Sequence, residues 1–267
     1  RKLGFTGGRV LEPSMGIGNF YGLMPRDLMA ASDLTGIEMD SLTGGMAKIL
    51  YPRANVQIKG YQDSKTPDGF YDLIIGNWPF SQNGPADRRY DKLNASLHDY
   101  FFIKALDQVR PGGFVIGITS AGTMDKISRT QRLHLSQKAD LVAAFRLPSG
   151  AFEKYAGTAV VTDLIIFQKR AEGRPADGPG LDWIDTVKID TDAGEPITVN
   201  QYWTVHPENV LGHMTYGSGT TYGRAAMIVN RQADFPQRLA ALPGGAVAEH
   251  LHLLLGLGLR HPLRHPG

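Results

Sequence analysis

The chain contains no cysteine. Disulfides and thiolate metal sites are excluded, and the composition suits a reducing compartment, so a cytoplasmic protein is expected. No apolar run reaches the roughly 18 residues of a membrane-spanning helix, so no membrane association is expected. The opening residues, Arg1-Lys2-Leu3-Gly4-Phe5, lack both an initiator methionine and the apolar core of a signal peptide. They read as a fragment or a processed start. Charge of one sign is also scarce: 28 basic residues stand against 26 acidic ones, a net charge of +2. That balance permits a nucleic-acid partner without pointing to one. No group of His, Asp and Glu has metal-ligand spacing, so no metal is expected.

What is present is an ordinary globular composition, 42% hydrophobic over 267 residues, enough for one large domain with appendages. Short apolar runs alternate with helical patterns up to about residue 170. Strands are expected at Arg9–Leu11, ending at Glu12, then at Leu34–Ile37, Val56–Ile58, Tyr71–Ile75 and Phe114–Ile118. Helices are expected from Asp40 to Leu50, from Ser96 to Val109 and, more polar, from Asp125 to Ala139. Pro111-Gly112-Gly113 stops the second of these. Two further strands, Leu141–Leu147 and Val160–Gln168, follow one another with no helix between them. Strand–helix alternation implies a parallel sheet, and the last pair implies an antiparallel hairpin at its edge. The fold class is therefore α/β: a Rossmann-like, seven-stranded, mostly parallel sheet with an antiparallel last strand.

The character changes after Arg170. Residues 1–170 read as the main domain and 171–242 as a linker with a small C-terminal extension. Residues 243–267, biased to Leu, Gly, His and Pro, read as a disordered tail. His250, His252, His261 and His265 tempt a metal reading, but Pro262 and Pro266 break regular structure beside the last two.

Three segments carry candidate chemistry. The first strand runs into Glu12-Pro13-Ser14-Met15-Gly16-Ile17-Gly18-Asn19-Phe20. Glycines there let the backbone turn tightly and approach a ligand, at the place where doubly wound sheets bind nucleotides. Alone, this segment reads equally well as a plain strand-to-helix turn. The second strand ends in Glu38-Met39-Asp40. A carboxylate about 20 residues beyond a glycine turn can accept from ribose hydroxyls. Met39 can pack on a purine, and Asp40 suits a helix cap. The fourth strand ends in Asn77-Trp78-Pro79-Phe80. An Asn side-chain carbonyl and the backbone carbonyl of the next residue can hold both hydrogens of an exocyclic amine. Phe80 offers a flat face for a base. By itself the segment is also a strand-ending turn with a packed aromatic.

Taken in order and spacing, these segments resemble the N6-adenine DNA methyltransferases, amino-methyltransferases with an Asn-x-Pro-Phe motif. The likeness is nearest to methylase modules in large helicase–methylase proteins of phages and conjugative elements. The runs from His98 to Phe102, Arg110 to Phe114 and Thr119 to Asp125 fit as well. The resemblance implies a class I methyltransferase fold with S-adenosylmethionine as cofactor. Glu12, Pro13, Ser14, Gly16 and Gly18 would then hold its methionine part, and Glu38 and Met39 its ribose and adenine. Relatives place an acidic residue directly after the third strand; here Gln62 takes that place. Relatives also carry Pro or a small apolar residue where Trp78 stands, a position assigned only a backbone carbonyl. Asn77, Trp78, Pro79 and Phe80 would form the catalytic motif around an adenine flipped out of DNA. The expected partners are DNA and helicase or target-recognition regions of a longer protein. The same motif also serves RNA amines and protein glutamines. A non-catalytic cofactor- or DNA-binding module is the remaining alternative. Arg88, Arg89 and Lys92 lie just beyond the motif and read as phosphate contacts or as a solvated loop. His98 and His134 read as structural.

Overall fold

The structure, a computed structural model, describes residues 3–151, 160–174, 181–218 and 225–241. The linker call at 175–180 and the tail call at 243–267 lie outside the described residues.

Seven strands form one sheet in the order β3-β2-β1-β4-β5-β7-β6. They are β1 Gly8–Glu12, β2 Ser32–Glu38, β3 Asn55–Ile58, β4 Tyr71–Asn77, β5 Val109–Ser120, β6 Ala139–Arg146 and β7 Thr162–Lys169. The first five run parallel, and β7 pairs antiparallel with both β5 and β6. The expected seven-stranded α/β sheet is the one observed. All strand ends that carry candidate motifs fall on its carboxyl edge, where open α/β sheets bind ligands.

Helices α1 Asn19–Gly22, α2 Arg26–Ala30 and α3 Ser41–Leu50 connect the outer strands. The Asp40 carboxylate caps α3 by accepting from Thr43 N at 2.7 Å, so one orphan amide of the first turn is satisfied. Helix α4, Leu97–Gln108, is buried from His98 through Gln108, with Phe101, Phe102 and Leu106 in the main core. It runs straight into β5, so Pro111-Gly112-Gly113 lies within that strand and not in a loop. The left-handed Gly112 (φ 76°) accommodates the irregular pairing there.

The polar helix expected from Asp125 to Ala139 is two short helices, α5 Gly122–Asp125 and α6 Thr130–Ser136. Lys126 turns extended (ψ 129°) because Asp125 is anchored elsewhere. Its carboxylate accepts from Asn200 N at 2.8 Å and lies 2.8 Å from Arg146.

Beyond the sheet, β8 Thr186–Ile189 pairs with β9 Ile197–Asn200, and β10 His213–Ser218 with β11 Ala225–Asn230, both antiparallel. The segments flanking the first hairpin pack on the sheet through Trp183 and Trp203, each 1% exposed. Phe167 of β7 meets Trp183 with ring centroids 5.3 Å apart. Arg146, fully buried, forms a bidentate pair with Asp163 at 2.9 and 2.8 Å and lies 4.4 Å from the Trp203 ring.

The connection from β3 to β4 contains only a 3-10 turn, Tyr61–Asp63. One face of β1, β2 and β3 is therefore left without a covering helix among the described residues.

Candidate active site

Strands β1 and β4 are neighbours, so the loops that leave their carboxyl ends meet. The Ser14 hydroxyl donates to the carbonyl of Asn77 at 2.9 Å. This bond joins the glycine turn to the Asn-Trp-Pro-Phe segment, 63 residues apart. Met15 N donates to Ile37 O at 2.9 Å and ties the same turn to β2.

The turn needs its glycines. Gly16 and Gly18 are left-handed, at φ 54° and 84°, a conformation costly for residues with a Cβ. A methyl group at Gly18 would also stand 2.4 Å from the Tyr51 ring. The Tyr51 hydroxyl donates to Gly18 O at 2.7 Å.

Glu38 faces the turn from β2. Its Oε2 accepts from Gly16 N and its Oε1 from Asp40 N, both at 2.8 Å. Each oxygen keeps a lone pair for a further donor. Met39 beside it is 74% exposed, an apolar platform open to solvent. Gln62 stands beyond β3, and its amide donates to Asp63 at 3.2 Å, away from the glycine turn. It shares the sheet edge with Glu12 and Glu38 without touching them.

Glu12 is 2% exposed, and its Oε2 has no hydrogen-bond partner. Burial pushes its carboxyl well above the usual carboxylate range, and the Glu38 charge pushes the same way. A buried carboxyl with one oxygen lacking a donor fits a ligand that brings a cationic or N–H-bearing group. The residues present therefore fit the amino-acid end of S-adenosylmethionine.

At the end of β4 the Asn77 side chain is exposed and Pro79 half-buried. Phe80 is 40% exposed, free to meet a planar ligand. Trp78 differs. Its indole is 1% exposed and packs among Phe101 and Phe102, with centroids 5.6 and 5.5 Å away. The large side chain at this position enters the core and does not narrow the cleft. Its space comes from Gly76 and Gly117, which are register partners on β4 and β5. Sequence reasoning did not find this pairing, because Gly117 is remote in sequence. Tyr51, 33 residues from the glycine it braces, was missed for the same reason.

The loop after the motif is held down at two places. Asp87 accepts from Lys104 Nζ at 3.0 Å and from the Tyr100 hydroxyl at 2.8 Å. Arg89 donates to Asp68 at 2.7 and 2.6 Å and to Asp107 at 2.8 Å. Arg89 is thus an internal tether in this structure and not a spare phosphate contact. His98 is buried, its Nε2 3.0 Å from Ser96 Oγ, which itself donates to Asp99 at 2.6 Å. Burial lowers its pKa, as suits a structural imidazole.

The sheet order and the ligand edge together define the fold of the class I S-adenosylmethionine-dependent methyltransferases. A methyltransferase of that class from Listeria monocytogenes superposes with a TM-score of 0.52 at 14% identity, over 66% of this chain and 59% of that one. The methyltransferase subunit of a type I restriction-modification system from Streptococcus thermophilus gives 0.50 at 16% identity, over 62% and 41%. At sequence level, the chain is 34% identical over 172 residues to "Defense against restriction protein B" of Escherichia phage P1. That match spans 61% of this chain and 7% of the phage protein, so the chain corresponds to a small part of its length. No family model matches the chain.

Proposed function

We propose that this chain is the catalytic core of an S-adenosylmethionine-dependent methyltransferase acting on the N6 amine of adenine in DNA. The observation that carries this reading is the hydrogen bond from Ser14 to Asn77 O. It joins the glycine turn, with its buried, donor-poor Glu12, to the Asn-Trp-Pro-Phe segment, which supports reading the two as one cofactor and substrate site.

Glu12 and the glycine turn bind the amino-acid part of the cofactor. Glu38 accepts from the ribose hydroxyls, and Met39 lies against the adenine, with Gln62 at its rim. When bound, S-adenosylmethionine supplies a methyl group on a sulfonium, a strong electrophile. The Asn77 side-chain oxygen and the Trp78 carbonyl accept the two N6 hydrogens of the target adenine and thereby turn the nitrogen lone pair into the cleft. Phe80 stacks on the flipped base. Positioning provides most of the rate enhancement in such an arrangement. Methylase relatives in restriction systems and the phage protein support DNA as substrate and a longer host protein as partner. A tritiated-methyl transfer assay on DNA, RNA and glutamine-bearing protein tests the proposal. Label in N6-methyladenine of DNA is expected; label only in RNA or protein would replace the substrate, and no label on any of them would leave a binding module.

A further inference from the structure

The bare face of β1, β2 and β3 has a chemistry of its own. Side chains alternate across a strand, and here the alternation separates two surfaces. Val10 and Val56 are buried on one face. The opposite face presents Arg9, Asp33, Thr35, Asn55, Gln57 and Lys59. Register places Arg9 beside Asp33 and Thr35 beside Asn55, so these polar groups form contiguous rows. Lys65, Thr66 and Phe70 of the β3–β4 connection wall the face off into a cleft of about 450 Å³. Parallel sheets are ordinarily covered on both faces by apolar contacts. This one is polar where its helix is missing, so an apolar cover does not suit it.

The charge in the cleft is biased. Arg9, Lys59 and Lys65 stand against the single carboxylate Asp33 among its lining residues. Lys65 is exposed and Lys59 half-buried, and neither makes an ion pair among the described residues. Arg9 is held in place: its guanidinium lies 4.5 Å from the Phe70 ring and 3.7 Å from Asp72. Lys59 stands at the carboxyl end of β3, where its amide donates to Glu38 O at 2.9 Å. Most of the lining stands at the amino ends of the strands, and toward the carboxyl edge the same face closes over Leu11 and Ile37, 0% and 1% exposed.

We infer that this cleft binds a single nucleic-acid strand, distinct from the cofactor pocket. Lys59 and Lys65 meet the phosphates, Asn55 and Gln57 offer paired donors and acceptors to base edges, and Arg9, paired with Asp72 and stacked on Phe70, stiffens the wall. A positively charged groove that follows the backbone is a recurring means of holding single strands. The inference rests on the DNA reading above for its biological sense, but its test measures binding alone and needs no methyl transfer.

The test uses the full chain, a fluorescein-labelled oligothymidylate and anisotropy across a salt series. The double variant Lys59→Glu/Lys65→Glu is expected to bind at least about tenfold more weakly. Its log-affinity slope against log salt should be shallower by about 1.4, two contacts at roughly 0.7 each for single strands. Lys188→Glu, on β8 away from the cleft, should bind like the parent. Unchanged affinity in the double variant overturns the inference. So does displacement of the oligonucleotide by a polyglutamate peptide at equal charge concentration, which would assign the cleft to an acidic protein segment. Retained methyl transfer with lost strand binding, or the reverse, separates this cleft from the proposed active site.

Discussion

Trp78 and Gly117 are fitted to one another: a methyl group at Gly117 would stand 2.1 Å from the indole Nε1. Gly76 completes the seat, since a methyl there would stand 2.5 Å from Cζ3. Because the indole is enclosed, it cannot swing aside. Gly117→Ala is expected to cost about 1–3 kcal/mol of stability through overpacking. Trp78→Val leaves a cavity and is expected to cost about 2–5 kcal/mol. Urea unfolding of both variants checks this; a neutral Gly117→Ala would show that the indole has room to move.

Glu12 carries a cost in the ligand-free protein. Its carboxyl is held above the ordinary range in the folded state by burial. Below about pH 4 both folded and unfolded forms are protonated there, and the group is neutral to stability. As pH rises past the ordinary value the unfolded chain ionises freely, and the folded state loses relative stability until the raised value is passed. Glu12→Gln should therefore raise the neutral-pH Tm by a few degrees, with the gain vanishing in acid, while cofactor affinity falls. Melting curves across pH decide this, and parallel profiles for the two proteins would rule it out.

Glu38 serves the turn as well as any ligand. Glu38→Ala removes the acceptor of Gly16 N and Asp40 N. Calorimetry should show S-adenosylmethionine binding weaker by about 1–3 kcal/mol, and hydrogen exchange at the Gly16 amide should quicken. Unchanged exchange would separate the ligand role from the structural one.

On the proposed reading, Asn77 holds the amine and not the cofactor. Asn77→Ala is expected to abolish methyl transfer with cofactor affinity nearly intact. Phe80→Ala should weaken substrate binding by about 1–3 kcal/mol with less effect on stability, since the ring is 40% exposed. Loss of cofactor binding in Asn77→Ala would move this residue into the cofactor pocket.

Arg146→Ala leaves Asp163 and Asp125 facing each other without their shared cation. Breaking a buried pair of this kind costs about 3–5 kcal/mol. Near-ultraviolet circular dichroism should lose the Trp203 contribution, since that ring lies against the guanidinium. A stable variant with an intact tryptophan signal would show that the hairpins are held by apolar contacts alone.

The parallel sheet was readable because β4 and the second half of β5 are apolar runs, β1 and β2 carry shorter apolar stretches, and strong turn residues separate them. The three site segments were readable because each sits where a strand meets its carboxyl-end loop. What was hidden depends on contacts between distant residues. The polar pattern after Asp125 looks like one helix until Asn200 and Arg146 claim the Asp125 carboxylate. Trp78 stands where the resembled family carries Pro or a small apolar residue, and its two glycines, one of them on the next strand, make room for it in the core. Arg89 looked like a solvent-facing cation until the fold brought Asp68 and Asp107 to it.

The two tethers of the loop beyond Phe80 have unequal access to water. The outer pair, Arg89 with Asp68, is 52% exposed on each side, whereas Lys104 and Asp87 are 6% and 14% exposed. Mobile ions screen the first far more than the second. Raising ionic strength should loosen the loop from its outer end while the inner anchor holds, like a hinge freed at one leaf. Binding at the adjoining candidate site would then vary with salt even for an uncharged ligand, through the geometry of the protein alone.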